Sequence, residues 1–207
     1  WRPNQQLRTE ISALQLDNDE DNDYARWSGV FEAKEDFPMQ MGIGNYTANL
    51  TANYYEMHSR SSSASTKLGT VAQASPSATL GWRIPVAVNG FGRSVIIQPR
   101  AQLTYVGGND RTADIPNRDA AEYRIDEANL FLTHRYQGKD YILPGTRADL
   151  GIAAAANDNT FGNVAGFVGI SRRLSGKPSA GLNTNQDDTY SDYVASLAMT
   201  PLGLFNI

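Results

Sequence analysis

The side chains able to do chemistry in this 207-residue chain are few and widely spaced. His58 and His134 are the only imidazoles, and neither stands at a metal-ligand spacing; strand-end or loop polarity accounts for both. Ser191-Asp192 and Ser75-Pro76-Ser77 supply hydroxyls, but no base follows at a diagnostic spacing and no nucleophile elbow surrounds them. Gly107-Gly108-Asn109-Asp110 has the glycines of a phosphate-binding loop without its lysine or following helix. The acidic run at 17–23 holds the hard oxygens that calcium prefers, yet it lacks the spaced glycine and terminal glutamate of an EF-hand; a solvated loop explains it as well. The remaining carboxylates fall mostly in connections, where hydration explains them without a glycosidase pair. The reading is therefore of no enzyme, no cofactor and no metal centre. Arg100, Arg147 and Arg173 are the pointed exception. They lie on polar parities of strands, and they either pair with Asp149 and Asp192 or present cations to an anionic ligand.

The elements that position these residues are long alternating strands. In residues 94–106 one parity carries Val95, Ile97, Pro99, Ala101, Leu103 and Tyr105, while the other carries Gln98, Arg100, Gln102 and Thr104. Residues 79–88 alternate in the same way, and Asn89-Gly90 between the two arms predicts a hairpin turn. Such arms exceed an average soluble strand and approach the roughly 9–11 residues that cross a bilayer. Further strands are expected over 5–16, 24–35 ending at a Phe37-Pro38 turn, 46–55, 147–156 and 162–174, with Asn157-Asp158-Asn159 as a tight connection and a last strand around 193–199. Tyr46 and Tyr54, at opposite ends of one apolar parity, stand where aromatic girdles would lie in a membrane strand and where core-edge aromatics would lie in a soluble sandwich. Residues 60–66 read as a polar loop.

Between about 107 and 141 the alternation stops, the least core-like part of the chain, exposed or tucked into a lumen, with one helical turn over 126–131. The sum is seven or eight antiparallel strands joined by short and long connections in alternation, the asymmetry of outer-membrane barrels. A net charge of −4 gives no footprint for nucleic acid. Absence of cysteine excludes disulfides and thiolate metal sites within these residues. No apolar run reaches the length of a transmembrane helix, which leaves a barrel open. Periodicity alone does not say which face points inward, because a soluble barrel would bury its apolar side.

Several segments, in order, resemble the barrel of the LptD family of outer-membrane lipopolysaccharide-assembly proteins. They are 96–105, the loop with Ile115-Pro116-Asn117-Arg118-Asp119, the stretch ending Asn129-Leu130-Phe131, and Arg135-Tyr136-Gln137-Gly138-Lys139-Asp140, with Tyr136 in place of the usual phenylalanine. Residues 166–174 and 191–193 resemble the following hairpin, so the likeness is strongest over 76–207. It implies that 1–207 is an incomplete outer-membrane β-barrel domain in the cell outer membrane, wall of a large barrel that delivers lipopolysaccharide to the outer leaflet. It implies as partners lipopolysaccharide, outer-membrane lipid, an LptE-like lipoprotein plug, and periplasmic bridge proteins reached through an N-terminal domain outside these residues. On that reading Val95, Ile97, Leu103, Leu150, Ile152 and Val168 face lipid. Gln98, Arg100, Gln102, Arg147, Asp149 and Arg173 then face the lumen. Another outer-membrane porin or receptor barrel, or a soluble all-β binding domain, is the alternative that alternation alone leaves open.

Overall fold

The computed structural model describes residues 4–16, 22–59, 69–90, 93–109, 111, 114–115, 119, 125–158, 162–176, 189–191 and 193–200. They form one antiparallel sheet of nine strands: β1 Gln5–Leu16, β2 Asn22–Pro38, β3 Ile43–Ser59, β4 Gly69–Arg83, β5 Val86–Gly90, β6 Arg93–Val106, β7 Gly145–Asp158, β8 Gly162–Gly176 and β9 Val194–Thr200. Neighbours follow chain order, with β5 paired only to β6, and the sheet is open, with β1 and β9 at its edges.

β4 and β5 continue one register along β6, Arg83 opposite Arg100 and Val86 opposite Ile97. The interruption is Ile84-Pro85, where a proline withholds a ladder donor; the Ile84 N–H still donates to the Pro99 carbonyl at 3.1 Å. Counting that pair as one strand gives eight, within the seven or eight expected. Three turns lie elsewhere than the sequence suggests. Asn89 and Gly90 are in the ladder opposite Ser94 and Arg93, so the reversal falls at 91–92, outside the described residues. Asn157 and Asp158 likewise pair with Asn163 and Gly162. Phe37 and Pro38 pair with Gly44 and Ile43, which moves that turn to 39–42. In each case the ladder outlasts the apolar pattern, because strand-end residues need only backbone partners.

The connections at 17–21, 60–68, 107–144 and 177–193 leave from one end of the sheet, and the shorter ones at 39–42, 91–92 and 159–161 from the other. The register is staggered. β4 runs past the start of its pairing with β6 by Gly69–Pro76 at the long-loop end, whereas β5 to β8 extend further at the turn end. Such a stagger is what tilted strands of a barrel wall require.

The two faces differ in kind. One carries Leu7, Ile11, Trp27, Phe31, Leu50, Leu80, Trp82, Leu103, Leu150, Ile152 and Val168, all well exposed. The other buries Arg26, Ser28, Asn53, Gln73, Ser75, Ser77, Thr79, Gln102, Thr104 and Asp149. Leu150 is 55% exposed while its neighbour Asp149 is fully buried, an inversion of the soluble pattern. What buries the polar face is the 107–144 connection, folded back onto it. Far from being the least core-like part, it contributes Ile115, Ile125, Leu130 and Ile142 to the interior. One cluster joins Ile115 to Tyr24, Tyr55 and Met57; the other joins Ile125 and Leu130 to Phe167 and Val194.

Candidate functional site

The polar face and the folded-back loop form the site, and charge fixes the loop first. Arg26, pointing inward from β2, donates through Nη1 to Asp119 Oδ2 and Asp140 Oδ1, each at 2.6 Å. Tyr24 OH donates to the same Asp140 oxygen. Asp119 Oδ1 accepts the backbone N–H of Lys139 and of Asp140 at 3.1 Å. Gly138 permits that turn: its φ is +74°, and a Cβ there would stand 2.4 Å from the Asp119 carbonyl oxygen. Burial pushes the Asp119 carboxyl up, but the Arg26 hydrogen bond and the two amides outweigh it and hold the group below its ordinary range. Lys139 then spans to β1, donating from Nζ to Glu10 Oε1 and Ser12 Oγ at 2.7 Å, while its carbonyl accepts from Asn53 and Tyr55 at 3.0 Å.

The middle of the loop is a single helical turn, as its sequence suggests. Asp126 and Asn129 each accept the other's backbone N–H on a side-chain oxygen, at 2.9 and 3.0 Å, and Leu130 N–H reaches the Asp126 carbonyl at 3.0 Å. The turn seats Leu130 and Phe131 on a flat part of the wall where Gly151 of β7 is paired with Gly169 of β8. A Cβ at Gly169 would lie 2.5 Å from Leu130 Cδ2, and one at Gly151 would lie 2.7 Å from the Phe167 ring. Gln102 Nε2 donates to the Phe131 carbonyl at 2.8 Å.

The last part of the loop brings a second arginine network to β7 and β8. Arg135 Nη2 donates to Asp149 Oδ1 at 2.8 Å and to Ser171 Oγ at 3.0 Å. Arg147 Nε donates to Asp149 Oδ2 at 3.2 Å, and its Nη2 to the carbonyls of Thr133, at 3.0 Å, and Leu132. Ser171 Oγ also donates to Asp149, which thus receives three donors with no exposure of its own. Burial lowers the Arg135 guanidinium to about 10; nearby Arg147 adds to this and Asp149 opposes it. Burial and Arg147 also hold His134 below the ordinary imidazole range, with Glu32 pulling the other way.

Of the residues expected on the polar face, Gln102, Arg147 and Asp149 enter these networks directly. Arg173 lies beside them, its backbone N–H on the Thr189 carbonyl at 2.7 Å. Arg100 is exposed and donates to Gln98 at 2.8 Å, so it shares the face but not the network. Ile97, Leu103, Leu150, Ile152 and Val168 project from the opposite face and are exposed; Val95 is half-buried. Among the loop residues, Ile115, Asp119, Asn129, Leu130, Phe131, Arg135, Gly138 and Asp140 all take part in anchoring. Pro116 and Asn117, the acidic run at 17–21, residues 60–66, Asp192 and the His58 side chain lie outside the described residues. Sequence reasoning missed Phe167, an aromatic on the polar parity that packs edge-on against Phe131 with ring centroids 6.3 Å apart. It also missed Tyr24, Arg26 and Tyr55; an arginine and two tyrosines on one strand parity pair were the available signal.

Among the described residues no group of His, Asp and Glu is placed to hold a metal ion, and no helix is long and apolar enough to cross a membrane. An antiparallel sheet whose large apolar side chains face out and whose polar face holds a folded-in loop is wall of a transmembrane β-barrel. The chain belongs to the LptD family: the family model described as LPS transport system D matches residues 2–207. That places it in an outer-membrane family of lipopolysaccharide transport and assembly. No curated protein sequence matches it.

Proposed function

We propose that these residues form part of the wall of a translocon that inserts lipopolysaccharide into the outer leaflet of the outer membrane, without covalent chemistry. The observation that carries this is the inverted polarity of the sheet, apolar outward and polar inward beneath the loop. In this reading Val95, Ile97, Leu103, Leu150, Ile152 and Val168 contact lipid, and Gln98, Arg100, Gln102, Arg147, Asp149 and Arg173 belong to the lumen. The long connections face outside and the short ones the periplasm. β1 and β9 pair with further strands, since an open edge in lipid would leave backbone groups unpaired. A lipoprotein plug of the LptE type packs in the lumen beside the loop, and periplasmic bridge proteins deliver substrate through the family's N-terminal domain.

Conditional depletion of the full protein in its own cells tests the reading, with newly made lipopolysaccharide followed by surface labelling. Surface arrival should fall while synthesis continues. Ion conductance by the purified protein with undiminished surface arrival on depletion would indicate a porin instead.

A further inference from the structure

Between the end of the loop and the long-loop ends of β6, β7 and β8 lies a recess of about 680 Å³, counting the part open to solvent. Arg135, Arg147 and Arg173 line it together with His134, and among the described residues no carboxylate does. Asp149 bridges Arg135 and Arg147. Arg135 is 4% exposed, and only its Nη2 is engaged. Among the described residues its buried Nε and Nη1 have no hydrogen-bond partner, and the side chain lines the recess.

A buried guanidinium with one nitrogen satisfied and two unsatisfied is costly as it stands. Its planar fork matches two oxygens of a phosphate or carboxylate, and charge-assisted bonds of that kind are the strong ones. Arg173 lines the same recess. Val106, Ile125 and Ile142 add buried apolar lining. A dianionic head with an apolar body suits such a recess better than a free carboxylate does.

We propose that this recess binds a phosphate-type anion, held by the fork of Arg135 with Arg173 beside it. The chemistry is that of a phosphate monoester, supplied by a phosphorylated glycolipid or by free phosphate. Only the glycolipid source rests on the transport reading above.

The test is equilibrium titration of the full protein in detergent micelles, first with inorganic phosphate in phosphate-free buffer. Wild type should bind saturably. Arg135→Lys keeps a cation for Asp149 but loses the fork, and should bind at least tenfold more weakly; Arg173→Gln, outside the Asp149 bridge, should weaken binding severalfold with an unchanged circular dichroism spectrum. In a second arm, bound phosphate is challenged with lipid A and with the same lipid stripped of its phosphates. Displacement by the phosphorylated form alone supports the glycolipid source, whereas no displacement supports free phosphate. No saturable phosphate binding by wild type, or equal affinity in wild type and both variants, overturns the proposal. Because the readout is binding rather than transport, the site and the translocon reading fail independently.

Discussion

Arg26 on β2 and Asp140 near the end of the long loop are 114 residues apart in sequence and 2.6 Å apart in space. The pair is buried on both sides, so removing one partner strands a charge rather than merely losing a contact. Asp140→Ala should cost about 3–5 kcal/mol of folding stability and expose the loop to protease. The control is Asp36→Ala, whose Arg83 pair is half exposed and is worth about 0–1 kcal/mol. Denaturant unfolding and limited proteolysis of the two variants check the contrast; equal stability would show that the loop does not depend on its anchor.

Asp119 gives the loop a pH dependence whose direction is fixed. Its folded-state pKa is depressed, so its contribution is complete above the unfolded carboxylate value of about 3.9 and is lost as pH falls through the lower folded value. His134, also depressed, acts in the same direction at higher pH. The unfolded chain takes up its proton near pH 6.5, before the folded one does, and stability falls below that point. Protection of the loop from protease should therefore decline in two steps on acidification. His134→Gln should remove the upper step and Asp119→Asn the lower; a profile unchanged by both would refute the assignment.

The wall was legible in the sequence where packing is set by alternation alone. Leu150 and Ile152 alternate with Asp149 and Gly151 and so separate the two faces of β7. The turns were less legible, because Asn89-Gly90 is a good turn former placed where the register still had rungs to fill. Least legible was the loop's role as core. Its apolar residues follow no period, since Ile115 packs against β2 and β3 whereas Ile125 and Leu130 pack against β8 and β9. Phe167 breaks its strand's pattern for the same reason: its partner is Phe131, which no local spacing reveals.

The paired glycines Gly151 and Gly169 make a sharper prediction about that loop. A Cβ at Gly169 meets the fully buried Leu130 at 2.5 Å, Phe167 at 2.8 Å and the backbone carbonyl oxygen of Leu150 at 2.9 Å. Gly169→Val should cost about 1–3 kcal/mol by overpacking. It should also lift the helical turn at 126–131 and raise protease cleavage there. Gly166, on the same strand, has no atom nearer than 3.6 Å to its added Cβ, so Gly166→Ala should leave cleavage unchanged. Equal sensitivity at the two positions would mean that the loop does not rest on the glycine shelf.

Orientation in the membrane is tested most directly along one strand. Ile152 lies near the middle of β7 on the exposed apolar face, whereas Ile97 on β6 lies closer to the turn end. If that face meets lipid, an arginine costs most at mid-depth and less near the interface, where its head reaches water. Ile152→Arg should then destabilise assembly into vesicles by about 2–4 kcal/mol, and Ile97→Arg by less. Gln98→Arg adds the same charge one residue further on, to the opposite face, and should stay within about 0.5 kcal/mol of wild type. Folding yield into lipid vesicles, measured by the heat-dependent gel shift of assembled barrels, ranks the three. The order Ile152, Ile97, Gln98 requires both a lipid-facing apolar side and a bilayer centred on β7; a large loss at Gln98 with none at Ile152 would turn the sheet inside out.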